Sequence, residues 1–258
     1  MSTRDIAILA ALLLAVIAVF VFVAPIPQDP AYHLFADGRT LLGVANFWNV
    51  ASNLPFLVVG AWGVVYVMRH GHNVCLPGLE LAYVVFFSGV FLTAFGSAYY
   101  HLTPANDPLA WDRLPMTIGF AGLFAVIVGE FVSARMGRML VIPLLLIGIV
   151  SVEYWIWTEA RGAGDLRLYA VVQFLPMLLI PVILLLYRPA VGSSKYFWAM
   201  LGFYVLSKVA EFFDGSIFSL GGAISGHSLK HLFAATATAM VLLALMRRKQ
   251  PLQAANDD

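Results

Sequence analysis

The sequence has a single cysteine, Cys75, in 258 residues. One thiol forms no intrachain disulfide and cannot build a metal site on thiolates, so any metal centre must rest on His, Asp and Glu. Charge is also scarce: only 11% of residues are Asp, Glu, Lys or Arg. The 15 basic residues nearly cancel the 14 acidic ones. That balance leaves neither a basic face for nucleic acid nor an acidic tail. With 61% hydrophobic residues and a mean hydropathy of +0.87, the composition excludes a water-soluble fold. Internal repeats and low-complexity tracts are absent too, which removes the symmetry that would support an ion-coupled transporter.

What the chain does have is a succession of apolar runs. Crossing a hydrocarbon core takes about 20 helical residues, and suitable runs lie at 6–24, 47–68, 79–101, 114–132, 138–157, 166–187, 195–213 and 225–246. The fold class this predicts is all-α, a polytopic transmembrane helix bundle. The organisation is an N-terminal transmembrane helix over 1–24, a loop over 25–46, seven helices over 47–246 and a polar tail over 247–258. The first run also resembles a signal peptide, but no A-x-A cleavage site follows it. Its 18 apolar residues, Ile6 to Val23, exceed the usual signal core of about 7 to 15, so it reads as a retained helix or signal anchor.

Loop charges set the expected orientation. With the N-terminus inside, the cytoplasmic segments hold Arg4, Arg69, Arg135, Arg138, Arg188, Lys195, Arg247, Arg248 and Lys249, and the opposite side holds Arg39, Arg113, Arg161 and Arg167. Nine against four places both termini in the cytoplasm. The tail Gln250 to Asp258 is expected to be disordered.

Ionisable residues at membrane depth are costly, so those that persist are candidates for function. His101 closes the run Phe95-Gly-Ser-Ala-Tyr-Tyr-His101, and His227 and His231 open the last helix in Ser225-Gly-His-Ser-Leu-Lys-His231. The i,i+4 spacing stacks His227 and His231 on one face, about 6 Å apart along the axis, as two ligands of one metal require. His101, at the same membrane surface, supplies a third nitrogen. Three imidazoles with an open fourth position describe a catalytic zinc site, whereas structural sites close all four positions. Ser97, one turn before His101, is placed to stabilise an oxyanion. Asp112 is placed to accept a proton from water and return it to a leaving amine, which is what amide hydrolysis needs.

Each residue also has a structural reading. Two histidines at helical spacing can simply hydrogen-bond between helices, and Ser97 can pack as a small residue. Asp112 can cap a helix that starts at Arg113-Leu-Pro-Met116. His70 and His72 belong to a basic internal loop, and His33 lies in the external loop. Lys208 and Glu211, three apart, read as a structural pair. Glu153, Glu159 and Asp214 fall near helix ends, and Glu130 near an internal interface. Trp48, Tyr154, Trp155 and Trp157 fall near boundaries as aromatic belts.

Taken together, the motifs resemble the alkaline ceramidase family. Asn46-Phe-Trp-Asn-Val-Ala-Ser-Asn53 is similar to its F-[WY]-N-x-x-S-N signature. Ser97-x-x-x-His101, Asp112-x-Leu114-Pro115-Met116 and His227-x-x-x-His231 match its S-x-x-x-H, D-x-L-P-M and H-x-x-x-H blocks in order. The Ser, Asp and three-His pattern is shared with adiponectin-type receptors in the wider superfamily of seven-helix zinc hydrolases, but the Asn-rich opening and D-x-L-P-M favour the ceramidase branch.

The resemblance implies a seven-helix core, to which the first helix is an addition. It also implies Zn2+ held by His101, His227 and His231, with Ser97 and Asp112 around the water. The implied activity is hydrolysis of a lipid amide such as ceramide, entering from the bilayer, to fatty acid and sphingoid base, with the site toward the external or luminal side. The alternative is a lipid-binding receptor or sensor with a structural zinc. Two departures stand out. Where calcium-binding members carry D-W-x-E-x-N and a Glu before F-[WY]-N, this chain has Tyr32-His-Leu-Phe-Ala-Asp37 and Asn46, which argues against calcium dependence. Arg113 also stands where the family often has Glu.

Overall fold

The computed structural model describes residue 14 and residues 16–248. From Phe47 onward nine α-helices follow one another: α1 Phe47–Ala51, α2 Leu54–Val74, α3 Glu80–Leu102, α4 Asn106–Phe131, α5 Ala134–Glu159, α6 Arg167–Leu186, α7 Lys195–Phe212, α8 Asp214–Gly221 and α9 Gly226–Met246. No strand occurs among the described residues, so the bundle is all-α. Among the described residues, six spans are long and apolar enough to cross a membrane: α1 with α2 as one, then α3, α4, α5, α6 and α9. The remaining core helix, α7, is 18 residues long and carries Lys195, Lys208 and Glu211. Of the expected N-terminal helix, residues 16–22 are helical. Its earlier part, and residues 249–258 of the expected tail, lie outside the described residues.

α4 begins at Asn106, eight residues before the apolar run at 114. Its opening Asn-Asp-Pro-Leu-Ala-Trp-Asp-Arg is too polar to register as a membrane helix, yet these residues suit a helix start. Pro108 sits in the first turn, where amide hydrogens have no helical partner, and Asp107 complements the positive end of the helix dipole. Asp112 therefore does not cap this helix, since Ala105 occupies the cap and Asp112 lies in the second turn. Pro115 likewise falls inside the helix rather than at its start. α2 runs on to Val74, so His70 and His72 lie in a helix end, exposed, rather than in a loop.

The helices form a ring in which α9 packs on α7 and α2, α2 on α3, α3 on α4, and α4 on α5 and α6. α6 and α7 close the ring but barely touch. Between helices in lipid, association depends on close packing, and small residues permit the closest approach. α3 and α4 use this device. A Cβ on Gly89 would overlap the backbone nitrogen of Gly119, and one on Gly96 would overlap the carbonyl oxygen of Trp111. That carbonyl lacks its helical donor because Pro115 stands four residues on. A Cβ on Gly119 would meet nothing nearer than 4.0 Å.

The ends of α3, α5 and α8 and the starts of α4, α6 and α9 share one face of the bundle, and residues 24–46 cover it. Arg167 anchors this cover. Its Nη1 donates to the carbonyls of Phe20 and Val23 at 3.1 and 2.7 Å, and its fork closes on Asp165 at 2.7 Å. On the opposite face Arg248 pairs with Glu130 at 3.0 Å, and Tyr83 donates to the same carboxylate at 2.9 Å. Glu130 is thus fully buried in protein and tied to the chain's last described residue.

Gly89→Ala and Gly96→Ala are expected to destabilise the bundle by about 1–3 kcal/mol through overpacking, while Gly119→Ala leaves it nearly unchanged. Thermal unfolding in detergent would show this asymmetry. A second expectation concerns acid. Burial alone would raise the Asp165 carboxyl, but hydrogen bonds from Arg167 and Tyr154 outweigh it and bring it down to about 2. Its contribution is full above the unfolded value of about 3.9 and is lost as pH falls through the folded value. The stability gap between the natural protein and Asp165→Asn should therefore be constant at neutral pH and narrow below about pH 4.

Candidate functional site

His101 is the penultimate residue of α3, and His227 and His231 lie in the first two turns of α9. The crossing of these helices brings the three rings together. His101 Nε2 is 3.3 Å from Nε2 of both His231 and His227. All three residues are buried, with ligand atoms within 4.8 Å of one another, so they could hold one metal ion. Phe35, from the covering segment, lies against His101 and His227 with ring centroids 4.7 and 4.6 Å away.

The hydrogen bonds behind the rings decide which nitrogens are bare. Ser52 Oγ lies 2.8 Å from His231 Nδ1 and also donates to the Asn49 carbonyl at 3.2 Å. A hydroxyl has one hydrogen, so Ser52 accepts from His231 Nδ1–H, which leaves His231 Nε2 as a lone pair aimed at the other two rings. Among three converging imidazole nitrogens, a proton on one can serve the other two only as a shared, poorly aligned bond. A cation satisfies all three.

A polar frame fixes this geometry. The Asn46 side chain donates to the His101 carbonyl at 2.8 Å, from a left-handed backbone conformation that Asn tolerates. Ser228 Oγ donates to Asn49 Oδ1 at 2.9 Å. Asp214, expected near a helix end within reach of headgroups, instead accepts from the backbone amides of His227 at 2.7 Å and Ala36 at 3.0 Å. It thereby joins the start of α9 to the covering segment. His33 bridges the Tyr100 hydroxyl and Asn106 Oδ1 at 2.9 and 3.0 Å.

A cavity of about 590 Å³ adjoins the histidines, with His231, Ser97 and Asp112 in its wall. Ser97 and Asp112 are both buried and neighbour each other in this wall. The expected pair Lys208 and Glu211 is present at 2.7 Å, but Lys230 of α9 joins it at 2.9 Å and all three line the cavity. Farther in, the wall is apolar, with Phe86, Val90, Leu123, Met177 and Met200. Both α6 and α7 contribute to this wall, where the ring is least closed.

Trp155 departs from the expected aromatic belt. It is fully buried beneath the Arg113 guanidinium, 4.3 Å from its centroid, whereas Trp157 is exposed as a belt residue would be. Asp37 and Asn46, the two oxygen ligands that a calcium site here would have, are both engaged within the protein. Asp37 Oδ1 and Oδ2 are taken by Arg39 Nε and Nη2 at 2.8 and 2.7 Å, and this bonding holds its carboxyl below the usual range. The Asn46 amide is turned to His101. A protein cation already fills the position.

Sequence reasoning overlooked Ser52, Asp214 and Lys230 as site residues. Lys230 carries a visible signal, a charge at membrane depth three residues after His227, but its partner Glu211 is 19 positions away and only the packing of α7 on α9 reveals it.

No curated protein matches the chain. The sequence profile of the family described as Ceramidase matches residues 40–257, a stretch that begins just before Asn46 and takes in every helix from α1 to α9. With the histidine cluster and every cavity-lining residue from Phe56 onward inside that match, this chain belongs to the Ceramidase family.

Proposed function

We propose that this protein is a zinc-dependent hydrolase of lipid amides, cleaving an N-acyl sphingoid base or a close relative to fatty acid and free amine. The observation that carries the reading is the convergence of three imidazole nitrogens, one of them from His231 in the wall of a cavity that also holds Ser97 and Asp112 and continues between apolar side chains. Two nitrogens bound to one tetrahedral zinc at about 2.0–2.1 Å lie about 3.3 Å apart, and the spacing from His101 Nε2 to each of the other two is 3.3 Å. His101, His227 and His231 would hold the ion, which supplies Lewis acidity toward the amide carbonyl and lowers the pKa of water.

The chain's own residues do the rest. Asp112 accepts a proton from the attacking water as the new C–O bond forms, and returns it to the amide nitrogen as the C–N bond breaks, so the amine leaves neutral. Ser97 responds to that cycle. While Asp112 is ionised, the Ser97 hydrogen points at it. Once Asp112 is protonated, Ser97 is free to donate to the oxygen that gains charge in the transition state. The apolar end of the cavity takes the acyl chain, and the loosely closed seam between α6 and α7 gives it a path from the bilayer. Arg69, Arg135, Arg138, Arg188, Lys195, Arg247 and Arg248 lie at the end of the bundle opposite the site, which supports a site facing away from the cytoplasm, with the C-terminus inside.

Metal content of the purified protein, measured beside fatty-acid release from ceramides and other acyl amides, tests the reading. About one zinc per chain with multiple turnovers is expected, both falling in His101→Ala, His227→Ala and His231→Ala. Asp112→Asn and Ser97→Ala should retain zinc and lose on the order of 100-fold in rate. Full activity in Asp112→Asn would refute its proton role, and zinc without turnover would favour the receptor reading. Because Arg39 occupies Asp37, raising free calcium from nil to about 1 mM should leave the rate unchanged.

A further inference from the structure

Arg113 is a buried cation in this cavity that no carboxylate contacts directly. It is only 6% exposed, yet it takes part in no ion pair among the described residues. Its Nη2 donates to Gln28 Oε1 at 2.6 Å, while Nη1 is buried without an acceptor. Its guanidinium is enclosed by the rings of Trp155, Tyr169 and Tyr32, with centroids 4.3, 4.8 and 5.8 Å away. Aromatic faces offset only part of the cost of removing such a cation from water. Of the other charges lining the cavity, Lys208 and Lys230 share Glu211, Asp112 neighbours Ser97, and Asp29 accepts from the Ala31 amide.

Arg113 is the residue after Asp112, at the polar end of the cavity, and its neighbours Gln28 and Tyr32 come from the segment that covers the site. The acyl chain belongs at the other, apolar end. A group bound beside Arg113 would therefore sit on the amine half of the amide. We infer that Arg113 reads an oxyanion there, so that the preferred substrates are acyl amides whose amine half carries a carboxylate, sulfonate or phosphate. This rests on the lipid-amide reading above and narrows its substrate class. A guanidinium held between ring faces presents its edge to such a group.

The test uses amides of one palmitoyl chain with the purified holoprotein. N-palmitoyl glycine, N-palmitoyl taurine and C16 ceramide 1-phosphate offer the three oxyanions, and N-palmitoyl ethanolamine and C16 ceramide are the neutral counterparts. At least one anionic amide should exceed its neutral counterpart in kcat/KM by about tenfold or more, and the one that does identifies the oxyanion. Arg113→Met should collapse that ratio through KM, and Arg113→Lys should restore part of it. Thermal shift measures binding independently of turnover. The favoured anionic amide should stabilise the natural protein more than the neutral amide does, and the difference should vanish in Arg113→Met. Turnover of neutral amides equal to or faster than anionic ones would overturn the inference while leaving the hydrolase standing. Absence of turnover with Arg113-dependent binding of an anionic amide would do the reverse. Stabilisation by palmitate alone equal to that by the anionic amides would place the anion on the acyl half and also refute it.

Discussion

Three imidazole nitrogens held face to face inside a membrane bundle impose a demand that the rest of the fold answers. In lipid, polar groups must find partners within the protein, and bringing lone pairs together at 3.3 Å requires a rigid frame behind them. That frame reaches across four parts of the chain. Asn49 and Ser52 belong to α1 and its end, Asn46 precedes it, Asp214 opens α8, and Ser228 lies between the two α9 ligands. Each bond ties a different part of the chain to a ligand or to the turn that carries one. The close packing of α3 on α4 serves the same end, since α3 carries Ser97 and His101 while α4 carries Asp112.

Charge inside the cavity follows a consistent logic. A lone buried ion is costly, whereas a hydrogen-bonded pair offsets much of that cost. Glu211 between two lysines meets this condition, and so does Arg248 on Glu130 at the far end of the bundle. Arg39 on Asp37 carries it into the covering segment, where a fixed side chain does the bridging that a bound cation could otherwise do. Against this background a guanidinium that meets rings and an amide, but no carboxylate, stands out.

Much of this was legible in the sequence because hydrophobicity in lipid is nearly binary. Seven core helices announced themselves as apolar runs, and the i,i+4 pair His227 and His231 could face only one way. What stayed hidden depended on partners distant in sequence. Trp155 looked like a belt residue because its position near a helix end says nothing of the Arg113 that covers it from α4. The start of α4 was missed for a local reason: polar residues in its first two turns are satisfied by the site and the covering segment, so they lack the apolar signature of a lipid-facing helix. Asp112 belongs to that stretch, which is why an end-capping role looked reasonable for a residue that lies inside the helix.

Depth ties these features to the chemistry. Asp112 lies six residues into α4 and His231 five into α9, so at 1.5 Å per residue both stand about 8–9 Å below the covered face. The 26 residues of α4 span about 39 Å, close to a hydrocarbon core of about 30 Å plus its interfaces. On the proposed reading, Asp112 and His231 therefore lie near the boundary between headgroups and hydrocarbon. A lipid amide places its C–N bond at that level, its chain below and its polar half above. The cavity is ordered in the same sense, with apolar walls inward and Gln28, Tyr32 and Arg113 at the covered end. A substrate would thus need little vertical displacement to react, and the main cost of binding would be lateral passage at α6 and α7, the seam that the bundle leaves least closed.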